Sequence, residues 1–301
     1  MLSQADGNHP ELRAVLEHLL SSGGKRVRPT VVLLTGGMLN ADSDRLVTLS
    51  AAIELLHTAT LVHDDLIDGS LLRRGMPTIN ANWTPAATVL AGDFIFSRAA
   101  KLAAETSSVR VMQLFAETLS MIVDGEITQL FSKQRPVSRE DYYRRIYSKT
   151  ASLFELATRA AAMLSLAGDE VMEKVCQYGY EVGMAFQIVD DILDFTGEQV
   201  TVGKPVGSDL HMGIITLPVF QYIEKCPNDD RVQAILSGYS LRDDELTSLV
   251  ESIRSSDAIK DSLEEARQFA SRGIDALTDL PLNEERQELE ELARYIVCRD
   301  L

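Results

Sequence analysis

Only three cysteines occur in 301 residues, Cys176, Cys226 and Cys298, and none forms a Cys-x-x-Cys pair. That spacing argues against a disulfide framework and against a cysteine zinc site, and it fits a reducing cytoplasm. Positive charge is scarce as well. Lys and Arg number 29 against 45 Asp and Glu, for a formal net charge of −16. A nucleic-acid binder needs a basic face, so no nucleic-acid partner is expected. Long apolar runs are missing. No stretch of about 18 uncharged apolar residues appears, which predicts no membrane span. Short apolar helices still allow a transient contact with a bilayer surface. Residues Met1 to Pro10 are polar and lack a charged-then-apolar signal segment. Strand-like alternation is almost absent, Val200-Thr201-Val202 being a brief exception.

What remains is helical. Hydrophobic residues make up 45% and charged residues 25%, ordinary values for a soluble globular chain. Periodicity predicts helices over 10–20, 28–39, 43–68, 85–105, 107–133, 139–167, 170–195, 214–225, 229–237, 241–254, 257–277 and 282–298. Thr84-Pro85 reads as an N-cap followed by proline at the first helical position. Ser138-Arg139-Glu140-Asp141 resembles a capping box. Gly168 and Gly197 follow apolar-periodic runs and suit C-terminal caps. No linker divides the chain, so residues 1–301 are read as a single all-α domain. The segment from Thr196 to Gly213 holds four glycines and one proline, and a long loop of that kind is often functional. From about Arg242 onward a charged amphipathic region reads as a solvated outer layer.

Two copies of one acidic pattern stand out. Asp64-Asp65-Leu66-Ile67-Asp68 and Asp190-Asp191-Ile192-Leu193-Asp194 each lie inside an apolar, helix-like stretch. Carboxylates avoid such stretches unless something compensates them. Residues i and i+4 share a helix face, which pairs Asp64 with Asp68 and Asp190 with Asp194. Asp65 and Asp191 lie about 100° round the helix, within reach of a second ion or its water. Hard oxygen donors suit Mg²⁺ or Mn²⁺, and Mg²⁺ takes one or two carboxylates together with phosphate oxygens and water. The polar Gly69-Ser70 flank suggests a helix emerging at a cavity mouth.

Basic residues cluster near these motifs. Gly23-Gly24-Lys25-Arg26-Val27-Arg28-Pro29 precedes the first triad, and Arg73-Arg74-Gly75 follows it. Lysine and arginine grip phosphate oxygens by charge and by forked hydrogen bonds. His57 lies two turns before Asp64 on the same face. Lys149-Thr150, Gln187 and Lys204 are individually unremarkable. Singly, each of these is as well explained by a solvated turn or an ordinary core residue.

In combination the residues resemble the trans-isoprenyl (polyprenyl) diphosphate synthase family. The pattern runs Gly-Gly-Lys-Arg-x-Arg-Pro, then His57…Leu61-x-His63-Asp64-Asp65-x-x-Asp68…Arg73-Arg74-Gly75-x-Pro77, then Lys149-Thr150. It continues with Gln187-x-x-Asp190-Asp191-x-x-Asp194, Gly203-Lys204…Asp209-Leu210 and Thr216-Leu217-Pro218. The resemblance implies an isoprenoid-synthase-type helical bundle around a deep central cavity, in a homodimer. It implies that Asp64, Asp65, Asp68, Asp190, Asp191 and Asp194 bind Mg²⁺ on an allylic diphosphate. Arg73, Lys149, Thr150, Gln187 and Lys204 match family positions that contact the allylic substrate. Lys25, Arg28, His57 and Arg74 match the isopentenyl diphosphate site. The chain departs from the pattern at Ile214, where many members carry lysine. It also departs before Gly23, where many members have an extra helix against the partner subunit.

The implied reaction joins isopentenyl diphosphate head-to-tail to an allylic diphosphate, giving a linear trans-polyprenyl diphosphate. In related enzymes, aromatics at the fourth or fifth residue before the first Asp stop growth early. Here those positions are Thr60 and Ala59, both small, with Leu56 further down the stripe. A product above C20, of C30–C50, is therefore expected, and Ala59→Phe is expected to shorten it. Phe94, Ile95, Phe96 or Met121 would supply the stop. Geranylgeranyl or farnesyl diphosphate synthase is the shorter-chain alternative. A class I terpene cyclase would not need a second diphosphate site, and a non-catalytic subunit of a heteromeric synthase would not need both triads.

Overall fold

The computed structural model describes residues 10–21, 24–73, 75–131, 138–197, 206–237, 239 and 241–298. Helices dominate them, as the periodicity predicts: α1 (Pro10–Ser21), α2 (Val27–Met38), α3 (Ser43–Ile67), α4 (Ile79–Asn82), α5 (Pro85–Glu105), α6 (Val109–Phe131) and α7 (Arg139–Ile146). A π-helical segment (Tyr147–Ala151) leads into α8 (Ser152–Met163) and α9 (Asp169–Thr196). Then come α10 (Ser208–His211), α11 (Leu217–Lys225), α12 (Asp230–Leu236), α13 (Asp243–Arg254), α14 (Ala258–Ala276) and α15 (Glu284–Cys298). The only strands among the described residues are β1 (Leu72–Arg73) and β2 (Met76–Pro77), an antiparallel pair with Leu72 opposite Pro77. Gly75, at φ 74°, supplies the left-handed turn between them. Alternation over two residues is too short a signal to read from sequence, and Val200–Val202 lies outside the described residues.

Local chemistry sets the helix ends. Thr84 accepts from the Ala87 amide, with Pro85 in the first turn. Ser138 and Asp141 form the reciprocal capping box. Gly168 behaves differently from expectation. Its carbonyl accepts from the Met172 amide at 3.1 Å, so it opens α9 instead of closing α8. Gly197 does close α9, donating to the Leu193 carbonyl at 2.8 Å.

The backbone groups into two compact units interleaved along the chain. Unit 1 takes residues 1–117, 156–175 and 281–286; unit 2 takes 118–155, 176–280 and 287–301. In unit 1, α3 packs against α5 and α2. Leu49, Ile53, Leu55 and Leu56 of α3 are fully buried, as are Ala91 and Ala99 of α5. By length and composition α3 is apolar enough to cross a membrane. However, 61% of its apolar window is buried inside the fold, so it is a core helix. In unit 2, α11 packs against α14, α13 and α7, and α10 against α13. Buried residues of α9 such as Val182, Ala185, Ile188, Ile192 and Phe195 build that unit's core.

Candidate active site

In unit 1 the first acidic motif occupies the last turn of α3. Asp68 is the C-cap, Gly69 follows at φ 65°, and the Ser70 amide donates to the Asp65 carbonyl at 2.8 Å while Gly69 donates to Leu66. This is a Schellman end, in which a residue with positive φ lets the chain turn back over the last carbonyls. The reversal leads into β1 and brings Arg73 onto Asp65. Arg73 Nε donates to both carboxylate oxygens, at 2.9 and 3.1 Å, and Nη2 lies 2.8 Å from Oδ1. Asp65 is buried and its carboxylate is engaged by this fork. Asp64 is half-buried and Asp68 exposed. Half-buried His57, Thr60, Leu61 and Asp64 follow one another at helical spacing along the accessible face of α3. Ala59, at 3% exposure, and Leu56, at 0%, are closed into the core instead. Of the three residues expected to border the growing product, Thr60 alone reaches accessible surface. His63 packs on Gly92, where a Cβ would come within 2.1 Å of its Nε2.

Also in unit 1, Lys25 is exposed and Arg28 is buried in the first turn of α2. Arg26 between them adopts a left-handed backbone and pairs with Glu54 of α3. Arg74 lies outside the described residues.

In unit 2 a hydrogen-bonded chain runs through the second motif. Thr150 Oγ1 donates to Gln187 Oε1 at 2.6 Å, and Gln187 Nε2 donates to Asp191 Oδ1 at 2.7 Å. Tyr142, fully buried, donates its hydroxyl to Asp191 Oδ2 at 2.8 Å. The direction follows from the end point. A carboxylate only accepts, so the Gln187 amide must turn its NH₂ toward Asp191 and its oxygen toward Thr150. Burial, then the nearby Asp209 carboxylate, push Asp191 up to about 7 against the hydrogen bonds from Gln187 and Tyr142. Burial also drives the Tyr142 hydroxyl well above its ordinary range. Arg145 lies over the Tyr142 ring and donates to the Ile215 carbonyl at 2.7 Å. It thus brings a guanidinium to the segment where Ile214 stands in place of lysine. Asp194 accepts from the Ser208 amide and hydroxyl, at 3.2 and 2.7 Å, and from the Asp209 amide at 3.1 Å, tying α10 to α9. Lys149 pairs with Glu126 at 2.9 Å. Lys204 lies outside the described residues.

Lys149 and Thr150 sit in the π-helical segment, where a continuous helix was expected. A π turn inserts one residue and re-aims the side chains it carries. Gly183, one turn before Gln187, makes room for it. A Cβ there would lie 2.6 Å from the Ala151 Cα, a backbone atom. Gly183→Ala is expected to cost about 1–3 kcal/mol by overpacking and to separate Gln187 from Thr150. Urea denaturation and turnover, measured on one preparation, check both effects.

Asp65, Asp191 and Asp194 have protein partners, and no group of three or more His, Cys, Asp or Glu side chains among the described residues is gathered to hold a metal by itself. The donor set still fits a hard divalent cation. The first motif carries Asp64 and Asp68 at i and i+4 and the second carries half-buried Asp190, and one or two protein oxygens are what Mg²⁺ takes when phosphate oxygens and water complete its shell.

The polyprenyl synthetase family model matches residues 9–253. The chain belongs to the polyprenyl synthetase family. Heptaprenyl diphosphate synthase component 2 of Geobacillus stearothermophilus is 39% identical over 286 residues, covering 94% of this chain and 88% of that protein. Octaprenyl diphosphate synthase of Haemophilus influenzae is 35% identical, covering 100% and 92%. The crystal structure of a Caulobacter crescentus polyprenyl synthase complexed with calcium and isoprenyl diphosphate superposes with a TM-score of 0.92 at 34% identity, over 100% of this chain and 92% of that one. The isoprenoid-synthase helical fold expected from the motifs is therefore the fold of this polyprenyl synthetase family member.

Sequence reasoning missed Tyr142, Arg145, Glu126 and Glu54. Tyr142 and Arg145 carried a signal, an aromatic and a cation within a turn or two of Lys149. Glu54 carried another, a carboxylate among the apolar residues of α3.

The Asp65–Arg73 fork makes a distinct prediction for this family member. Asp65→Asn should cost about 1–2 kcal/mol and raise KM for the allylic diphosphate. With Mg²⁺ as the proposed cation, its concentration for half-maximal rate should stay near wild type. A large rise in that Mg²⁺ requirement would instead make Asp65 a direct ligand.

Proposed function

We propose that this prenyltransferase condenses isopentenyl diphosphate head-to-tail with an allylic diphosphate to form a linear trans-polyprenyl diphosphate longer than C20. The observation that carries the reading is the Thr150–Gln187–Asp191–Tyr142 chain, which holds uncharged oxygens of Thr150 and Gln187 beside an acidic motif. Such oxygens can face an allylic cation without being alkylated as a thiol would be. The names of the relatives, heptaprenyl and octaprenyl diphosphate synthase, favour a long product.

The chemistry needs no protein nucleophile. The allylic C–O bond breaks, its electron pair leaving with diphosphate. The double bond of isopentenyl diphosphate attacks the cation, a C–C bond forms, and a proton passes to the departed diphosphate. Arg73 and Lys149, with Lys204, place positive charge at the leaving group. Lys25, Arg28, His57 and Arg74 bind the second diphosphate. Asp64, Asp68 and Asp190 are the aspartates proposed to hold Mg²⁺, with Asp65, Asp191 and Asp194 orienting the elements around them. Mg²⁺, or Mn²⁺ in its place, supplies Lewis-acid neutralisation of diphosphate charge when bound.

A homodimer is part of this reading. The end of α6 exposes Val123 at 45%, Ile127 at 48%, Leu130 at 45% and Phe131 at 85%, spaced along one helix face. The word component in the Geobacillus relative's name also motivates testing the chain alone. Purified chain with Mg²⁺, isopentenyl diphosphate and a farnesyl or geranylgeranyl diphosphate primer should give linear diphosphates above C20 by mass. Absence of elongation without a second protein would favour a subunit role.

A further inference from the structure

Glu54 is the one carboxylate buried in α3 that belongs to neither acidic motif. It is 6% exposed, between fully buried Ile53 and Leu55. A buried carboxylate needs a partner, and Arg26 Nη1 supplies one at its Oε1. Arg26 reaches it at a backbone cost. Its φ of 47° and ψ of 34° are left-handed, a conformation that disfavours a residue with a Cβ. The Thr30 amide and hydroxyl both donate to the Arg26 carbonyl, at 3.1 and 3.0 Å, holding it there. A strained residue persists where its surroundings over-determine it. Here the determinants are a buried ion pair on one side and two hydrogen bonds on the other.

Lys25 directly precedes Arg26 and Arg28 follows it by two residues, and the proposed task of both is the second diphosphate. Glu54 itself lies three residues before His57 on α3, the third member of that group. The Arg26–Glu54 pair therefore joins the turn that carries Lys25 and leads into Arg28 of α2 to the helix bearing His57. We propose that Glu54 is a positioning residue for isopentenyl diphosphate binding, acting through Arg26 to hold the loop in its left-handed turn. The inference rests on the prenyltransferase reading. It also says that Arg26 faces the helix in the binding-competent state.

Steady-state kinetics of Glu54→Gln, Arg26→Gln and the double variant test it. Each single variant should raise KM for isopentenyl diphosphate about tenfold, the scale of a lost charge-assisted hydrogen bond. The allylic KM should change less than about twofold and kcat less than about threefold. The double variant should be no worse than Arg26→Gln alone, because both changes remove one interaction. Equal rises in both KM values, an unchanged isopentenyl KM, or multiplying effects in the double variant would each overturn the proposal. Arg26 is about a third exposed on its side chain (34%), so Arg26→Gln supplies the same readout if Glu54→Gln does not fold. Wild type run alongside separates the two levels. Failure of wild type to elongate sinks the underlying reading, whereas a normal wild type with unaffected variants sinks only the role of Glu54.

Discussion

Asp190→Ala is expected to lower turnover by about a thousandfold with the fold intact, the scale seen when one group stabilising a developing charge is removed. The reason lies in how α9 spends its three aspartates. Asp191 is buried and held by Tyr142 and Gln187, and Asp194 anchors α10. Replacing either disturbs structure along with chemistry. Asp190 is half-buried and is the aspartate of α9 proposed to hold the cation, so its loss should read on the metal. Raising Mg²⁺ should recover part of the rate, and Mn²⁺ binding measured by electron paramagnetic resonance should weaken. Thermal unfolding should stay near wild type. Full activity at ordinary Mg²⁺ would remove Asp190 from the proposed ligand set.

Thr60→Phe is expected to truncate the product to roughly three or four isoprene units, since one helical turn of about 5.4 Å spans close to one unit. Thr60 lies one turn before Asp64 on the accessible face of α3, its hydroxyl turned back on the His57 carbonyl at 2.8 Å. A phenyl ring there projects where a chain growing from the diphosphate would pass. Ala59→Phe, which the motif spacing alone recommends, should behave otherwise. Ala59 is 3% exposed, so a ring at that position overpacks the core, at a cost of about 1–3 kcal/mol or more. Product mass spectra of the two variants, with urea denaturation, separate these outcomes. An unchanged product from Thr60→Phe would show that length is set elsewhere.

Several features of the site were open to reading from sequence and several were not. Helix positions followed from apolar spacing because burial demands that spacing wherever a helix packs. Thr84-Pro85 and the Ser138 capping box were legible because a cap satisfies amides within its own turn. Gly168 was misread because glycine suits either end of a helix, and only the bond from Met172 tells which. The π segment at Lys149-Thr150 was invisible, since the close approach of Ala151 to Gly183 of α9 that accompanies it is a tertiary contact. The triads were identified as metal motifs from spacing, but spacing treats their members alike. Arg73 on Asp65, Tyr142 on Asp191 and α10 on Asp194 make them unequal.

The amino-acid sequence by itself determined the all-α class, the family and the chemical types at the site. These depend on local periodicity, on caps and on the order of charged motifs along one chain. Tertiary structure decided how those residues are held and which face of a helix stays accessible. Arg73 reaches Asp65 only after a chain reversal at Gly69, and Glu54 meets Arg26 only because α2 packs on α3. Thr60 differs from Ala59 only by the side of α3 that the neighbouring helices leave open. The last two depend on contacts between separate helices, and the first on a left-handed turn within eight residues; apolar periodicity records none of them.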